Sequence, residues 1–288
     1  SGRASDRPPR WPKTDPRCGQ GVNAMSTPTR TLDRLTASFE SIELERLVSR
    51  AGLLARTDRK YLLPTSALPE LFARIDQSTR VLEMDQQRSF RYRSRYFDTP
   101  DRDSFYTSGR SRRGRWKVRT RTYENDGSTW LEVKRRGPRG TTNKRRIRHP
   151  ESDRLSAAGV EFVSESVSPE VAGQLAPVLE TAYTRTTLFL PAEESRVTID
   201  FDLYWVDAAF GETVNLPDAV IIEAKTGSTP TSVDRHLWRL GHRPVRISKF
   251  GVGMAVLDPQ LSRLKWHRVI ENNFTNPHAQ ASRKGIAA

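Results

Sequence analysis

The sequence predicts an α+β protein: an antiparallel sheet or barrel with helices packed on its outside. Three observations carry that expectation. From residue 88 the apolar pattern has a period of two, as extended strands require, in segments 90–97, 115–123, 129–135, 143–149, 195–206 and 219–226. Stretches of helical pattern separate these strands, as in sheets covered by helices. Several strands carry one apolar face and one charged face.

Leu32 to about Leu54 is patterned as a helix, with Phe39, Ile42, Leu47 and Leu54 among charged residues. RTDRKYLLP (56–64) follows as a short strand that stops at Pro64. Ser66 is placed to cap a helix through Leu68, Leu71, Phe72 and Ile75. WKVRTRTYENDGSTWLEVKRR (116–136) is a hairpin, because Asn125-Asp126-Gly127 tolerates the positive φ of a tight turn. Alternation then places Lys117, Arg119 and Arg121 on one face of the first arm, and Trp130, Glu132 and Lys134 on one face of the second. Around TNKRRIRH, Arg145 and Ile147 alternate with Lys144, Arg146 and Arg148.

A helix is expected near Glu170–Glu180, before YTRTTLFL, and another over Thr231–Leu240. In VTIDFDLYW, Val197, Ile199, Phe201 and Leu203 share one face, with Asp200 and Asp202 on the other. In AVIIEAK, Val220, Ile222 and Ala224 oppose Ile221, Glu223 and Lys225. VRISKFGVGMAVL reads as a strand or a strand-to-helix junction.

The chain has 288 residues, enough for a substantial core, and a formal net charge of +14. That charge points to a polyanion such as nucleic acid, an anionic membrane or phosphates, with a solvated basic surface as the plain alternative. One cysteine, Cys18, excludes an intrachain disulfide framework and makes a cytoplasmic location the simpler expectation. No apolar run reaches the roughly 18 residues of a membrane-spanning helix. Residues 1–31 are expected to form a disordered basic leader, with Met25 a candidate natural start. The expected folded domain is 32–265, followed by a basic tail over 266–288.

Strands with one charged face have two solutions. One is an ordinary sheet with a core below and water above. The other is a barrel with its apolar residues outside and a charged lumen that is wet or occupied by a ligand. A row of Lys and Arg with one or two carboxylates also suits phosphoryl transfer: cations hold phosphate oxygens and carboxylates hold a bridging divalent metal. Nucleic-acid binding remains open beside it. The five histidines lack metal-type clustering, and there is neither a Walker A string nor a nucleophile triad. Arg112, Arg113 and Arg115 fall in a loop suited to guiding anions. Trp116, Trp130 and Tyr123 are expected to pack in the sheet core, and Arg93 and Arg95 to lie at the surface or rim.

Seven strings occur in order: RTDRKYLLP (56–64), SRYFDTPDRDSFY (94–106), WKVRTRTY (116–123), WLEVKRR (130–136), TRTTLF (184–189), VIIEAK (220–225) and ISKFGVG (247–253). Together they resemble the VTC domain, the catalytic domain of the vacuolar transporter chaperone polyphosphate polymerases, a branch of the triphosphate tunnel metalloenzymes. The resemblance covers about residues 50 to 258. It implies an eight-stranded antiparallel tunnel with basic walls, helices outside and a divalent metal, Mn²⁺ or Mg²⁺. It also implies transfer of the γ-phosphoryl group of ATP or another nucleoside triphosphate to a growing polyphosphate chain. Hydrolysis of tripolyphosphate on the same fold, or non-catalytic binding of polyphosphate or nucleic acid, are the alternatives. Any membrane association would need partner chains.

Carried over by position, the resemblance gives Lys60, Arg119, Arg121, Lys134, Arg185 and Lys249 as the residues acting on the reacting phosphates. Lys117, Lys144, Arg146, Arg148 and Lys225 become further substrate contacts. Glu223 is the first metal ligand and Glu132 the second, while Asp200 and Asp202 balance the charge of the lumen or bind metal. Relatives with cyclase or thiamine triphosphatase activity begin with E-x-E-x-K; here Arg56-Thr57-Asp58-Arg59-Lys60 keeps the lysine without the acidic pair.

Overall fold

The computed structural model describes residues 26–51, 57–137, 141–150 and 154–274. Most of the expected leader (1–25) and the end of the expected tail (275–288) lie outside the described residues, as do Leu54 and Arg56. In chain order the elements begin with α1 (Thr27–Thr36), β1 (Glu40–Ile42), α2 (Leu44–Ala51), β2 (Thr57–Pro64), α3 (Leu68–Phe72), β3 (Arg80–Leu82) and β4 (Ser89–Asp98). Next come α4 (Asp103–Gly109), β5 (Trp116–Tyr123), β6 (Ser128–Arg136), β7 (Thr142–Arg148), α5 (Ala157–Ser166), α6 (Pro169–Gln174) and β8 (Ala176–Leu190). The chain continues through β9 (Ser195–Asp207), β10 (Thr213–Leu216), β11 (Ala219–Thr226), α7 (Ser232–Arg239), α8 (Lys249–Leu257) and α9 (His267–Phe274).

One sheet of eleven strands organises the chain. Its main path, β2-β11-β9-β8-β4-β5-β6-β7, is antiparallel at every ladder. β10 joins β9, β3 joins β8, and β1 pairs with β3 in parallel. The path has the eight strands expected, but among the described residues no ladder joins β2 to β7, so the closed eight-stranded barrel is not found. The composition of β7 gives the reason. Lys144, Arg145, Arg146 and Arg148 leave this edge exposed and highly charged, which disfavours a further strand partner. The sheet nevertheless rolls: Lys60 of β2 and Lys117 of β5 line one cavity although five ladders separate their strands.

Helices cover the outer faces where the apolar alternation demands it. Val197, Ile199 and Phe201 of β9, with Val220, Ile222 and Ala224 of β11, pack beneath Leu32 of α1, Leu68 and Leu71 of α3 and Val233 and Leu237 of α7. A capping box between Thr231 and Asp234 starts α7. Trp116, Val118, Leu131 and Val133 pack beneath Phe162 and Val163 of α5 and Ala172 of α6. Asp98 ends β4 and accepts backbone N–H groups from Thr99, Ser104 and Phe105, which fixes the start of α4. Burial pushes its carboxyl up to about 6.

The structure corrects five sequence expectations. The single helix over Leu32–Leu54 is two helices with β1 between them. The helix expected near Glu170–Glu180 ends at Gln174, and the long strand β8 begins at Ala176. VRISKFGVGMAVL supplies a helix, α8, packed against the inner aromatic residues rather than on the outside. The folded body begins at α1 and reaches Phe274, with Val269, Ile270 and Phe274 buried where a tail was expected. Lastly, Leu203 does not share the face of Phe201. A bulge at Asp202, whose φ is +50°, places one extra residue opposite Tyr183 and shifts the alternation. Leu203 therefore packs with Trp205 and α8, while Asp202 turns to solvent and accepts a hydrogen bond from Ser26 at 2.6 Å.

Two glycines make the packing of α8 possible. A Cβ on Gly251 would collide with Trp266, and one on Gly253 with Trp205. Trp205 Nε1 also donates to the Lys249 carbonyl at 2.8 Å, which pins the first turn of the helix against β9.

Candidate functional site: a charged sheet face and its cavity

Period-two alternation delivers the charged side chains of β2, β5, β6, β7, β8, β9 and β11 to one face, opposite the helix-covered cores. Asp200 is 1% exposed and fully engaged there. Arg185 donates Nε to Oδ1 at 2.5 Å and a terminal nitrogen to Oδ2 at 2.8 Å, and Lys249 contacts Oδ2. Burial alone would raise this carboxyl; Arg185 and Lys249 instead hold it well below the usual carboxylate range.

Glu132 forms a second closed group. Arg119 donates two hydrogen bonds to Oε2, at 2.9 and 2.7 Å, and Lys144 donates to Oε1 at 2.5 Å. These cations outweigh burial and depress the carboxyl strongly, while Glu132 in turn keeps Arg119 firmly cationic against its own desolvation. Glu223 is held more loosely, with Lys60 Nζ at 3.5 Å and Lys225 Nζ at 3.3 Å, both beyond the usual charge-assisted hydrogen-bond length. Lys60 is raised chiefly by Glu223. Burial lowers Lys225 to about 8, with Glu223 opposing it.

Three tyrosines orient the inner arginines. Arg121 donates to Tyr183 Oη at 3.0 Å and Arg119 to Tyr96 Oη at 3.1 Å, while Arg121 and Arg185 each lie 5.5 Å from the Tyr92 ring centroid. Lys249 lies 4.2 Å from the Tyr183 ring centroid. Arg121, Arg185 and Lys249 lower the Tyr183 phenol although its burial acts the other way.

A row of lysines is less evenly compensated: Lys144 pairs with Glu132, while no carboxylate stands opposite Lys134. Lys117 stands directly opposite Lys134, and Lys134 directly opposite Lys144, across β5, β6 and β7. Burial, then Lys60, Lys134, Lys265 and Arg119, push the Lys117 amine well down. Lys134 is lowered by desolvation and by Lys60, with Asp58 and Glu223 opposing, and Lys144, partly exposed, falls to about 8 through desolvation despite Glu132. Lys60, Lys117 and Lys134 line a cavity of about 690 Å³, with Asp58 the one acid in its lining. Ser248, the N-cap of α8, accepts a hydrogen bond from Lys117 Nζ at 2.9 Å.

The fold thus brings Lys60, Lys117, Arg119, Arg121, Glu132, Lys134, Lys144, Arg185, Glu223, Lys225 and Lys249 onto one continuous charged face. Of these, Lys60, Lys117 and Lys134 line the cavity, and Arg146 and Arg148 share the face outside it. Their guanidinium carbons stand 4.5 and 4.4 Å from the Trp130 ring centroid, so Trp130 packs against arginines rather than in the expected sheet core. Trp116 does enter the core, and Tyr123 packs partly buried against Tyr92. Arg91, Arg93 and Arg95 turn to the opposite face of β4, where Arg95 pairs with Glu180 at 3.0 Å.

Sequence reasoning missed Asp58, two residues from Lys60 on the same face of β2, and the tyrosines interleaved with the arginines of FRYRSRYFD. The i, i+2 spacing in both strings was the available signal.

Among the described residues no group of three or more His, Cys, Asp or Glu comes together. Both oxygens of Glu132, and both of Asp200, are hydrogen-bonded to cations. Glu223, with its longer ion pairs, is the carboxylate that fits a divalent metal, provided that phosphate oxygens complete the shell. Among the described residues no helix is long and apolar enough to cross a membrane.

The family model for the VTC domain matches residues 55–258. A search of curated proteins gave no match. Solved structures similar to the chain include a candidate adenylate cyclase of Bacillus halodurans, 14% identical, with a TM-score of 0.44 over 67% of this chain and 94% of that one. They also include a candidate adenylyl cyclase of Hippeastrum, described as having a dominant triphosphatase activity. It is 14% identical, with a TM-score of 0.40 over 69% of this chain and 94% of that one. The family model spans well over half of the sequence, from β2 to α8, and on that match the chain belongs to the VTC domain family.

Proposed function

We propose that the protein is a metal-dependent polyphosphate polymerase that moves the γ-phosphoryl group of ATP onto the end of a polyphosphate chain held against the charged face. The lysine row is the observation that carries this reading. Lys117 and Lys134, in register without an acid between them and with Lys144 on the next strand, repel one another, and a bound chain of phosphates would convert that repulsion into attraction. Family membership supports the choice of phosphate chains over other polyanions.

In this reading Arg119 and Arg121, held in place by Tyr96 and Tyr183, grip the oxygens of the triphosphate. Lys60, Lys117 and Lys134 neutralise charge along the chain, Arg185 and Lys249 add positive potential behind it, and Glu223 would hold a divalent metal. The metal would supply positive charge that offsets the charge of the phosphates. An oxygen of the acceptor's terminal phosphate attacks the γ-phosphorus. The bond from that phosphorus to the β,γ-bridging oxygen breaks, ADP leaves, and the acceptor is one phosphate longer. Positioning and charge neutralisation supply the catalysis, so no side chain need act as nucleophile.

The test is product analysis after incubation with ATP and Mn²⁺ or Mg²⁺. A ladder of polymer on a gel is the expected result. Orthophosphate alone, from ATP or tripolyphosphate, would replace the polymerase with a hydrolase; binding without turnover under either metal would remove the enzymatic reading.

A further inference from the structure

The cavity continues past the lysine row. Its lining extends to Arg115 before β5, Arg136 at the end of β6, Arg246 before α8 and Lys265 before α9. None of these four has a role in the transfer proposed above, and among the described residues no carboxylate forms a salt bridge with any of them. They join the inner cations electrostatically. Lys117 feels Lys265; Lys265 is lowered by burial and then by Arg115 and Arg246; Arg115 is lowered by burial and then by Arg136.

Three of the four are held in place by neutral partners. Arg115 donates to the carbonyls of Arg112 at 2.8 Å and Ser111 at 3.3 Å, and Arg136 donates to Thr142 Oγ1 at 2.9 Å. Lys265 contacts the Ser108 carbonyl and donates to Ser111 Oγ at 3.2 Å. These contacts spend one or two donors on each side chain and leave its charge uncompensated, an arrangement ordered in advance for an anion.

We propose that Arg115, Arg136, Arg246 and Lys265 form an outer anion site that grips phosphates of a polyphosphate chain lying beyond the three at the reacting end. This rests on the phosphate-chain reading of the inner site and adds to it a length requirement: the preferred ligand is longer than a triphosphate. The lining also argues against nucleic acid. Its two aromatic residues, Trp116 and Trp266, are 7% and 1% exposed and packed in cores, so neither offers a ring on which a base could stack.

The test compares two ligands on the full chain, tripolyphosphate and long-chain polyphosphate, by calorimetry at equal concentrations of chains. The wild type binds the long chain more tightly. Arg115→Gln with Arg246→Gln weakens long-chain binding by about a hundredfold and tripolyphosphate binding by much less, two charge-assisted contacts of about tenfold each being lost from the longer ligand only. If the double variant does not fold, Arg246→Gln alone reads the same difference, because Arg246 is exposed and makes no side-chain hydrogen bond within the described residues. Equal losses for both ligands, or no loss for either, would overturn the outer site. So would a wild type that bound both ligands equally. A wild type that bound neither would overturn the inner reading as well. Single-stranded DNA that bound as tightly as the long chain, and lost as much in the variant, would overturn the choice of ligand.

Discussion

Lys134 stands between Lys117 and Lys144 on three adjacent strands, with no carboxylate opposite it on either side. The same face compensates Asp200 with two cations and Glu132 with two more. The face therefore divides into a part whose carboxylates are closely paired, Lys144 included, and a part around Lys117 and Lys134 that is not, and this second part lines the cavity.

The first expectation concerns pH. The Lys144 amine, on a partly exposed strand edge, is drawn down to about 8 from the 10.5 of a free lysine because desolvation outweighs its pairing with Glu132. In the free protein this depressed value makes stability rise with pH between about 8 and about 10.5, where the unfolded chain holds the proton more tightly. Anion binding runs the other way, since phosphate favours the charged amine. Affinity for tripolyphosphate is expected to fall as pH rises through about 8, with proton uptake on binding above it. Calorimetry in two buffers of different ionisation enthalpy measures the uptake; proton release would contradict the assignment.

Asp200→Asn tests the complete part of the face. It leaves Arg185 and Lys249 without their buried counter-charge, an uncompensated arrangement that typically costs about 3–5 kcal/mol. Urea unfolding is expected to show a loss of that order. A loss below about 1 kcal/mol would mean that solvent reaches these cations.

Glu223→Gln separates metal binding from folding. The expected outcome is a folded protein whose turnover requires at least about tenfold more Mn²⁺. Unchanged metal dependence would take Glu223 out of the metal site and leave Asp58, the acid that lines the cavity, as the next candidate.

Gly253→Ala tests the seat of α8. The added methyl would collide with the Trp205 ring, and overpacking of this kind typically costs about 1–3 kcal/mol. Because Lys249 opens the same helix, the shift is expected to lower phosphate affinity along with melting temperature. A variant of wild-type stability would show that Trp205 can give way.

The hairpin of β5 and β6 was legible in the sequence because Asn125-Asp126-Gly127 announces the turn and each arm has one buried and one charged face. β8 was not, since Val178 to Tyr183 and Thr186 to Leu190 are buried almost continuously and a strand covered on both sides shows no alternation. α8 hid for the same reason: Phe250 to Ala255 are buried all round, so no helical stripe marks them. The bulge at Asp202 leaves no trace in composition, and the face of Leu203 was lost with it. The charged face itself could be read residue by residue. Which cations are neutralised depends on register between strands distant in sequence, such as Arg185 against Asp200, and that becomes visible only in the fold.

Lys134→Gln tests the central claim most directly, by one pair of readings on one variant: melting temperature without ligand and affinity for tripolyphosphate. Removing a cation from between two others relieves like-charge repulsion worth roughly 0.2–1 kcal/mol, so the free protein should melt higher. The same change should weaken tripolyphosphate binding by about tenfold, the loss of one charge-assisted contact. Stability and affinity moving in opposite directions is the expected result. A variant that melts lower, or binds tripolyphosphate as tightly as the wild type, would contradict the assignment of the lysine row as the phosphate grip.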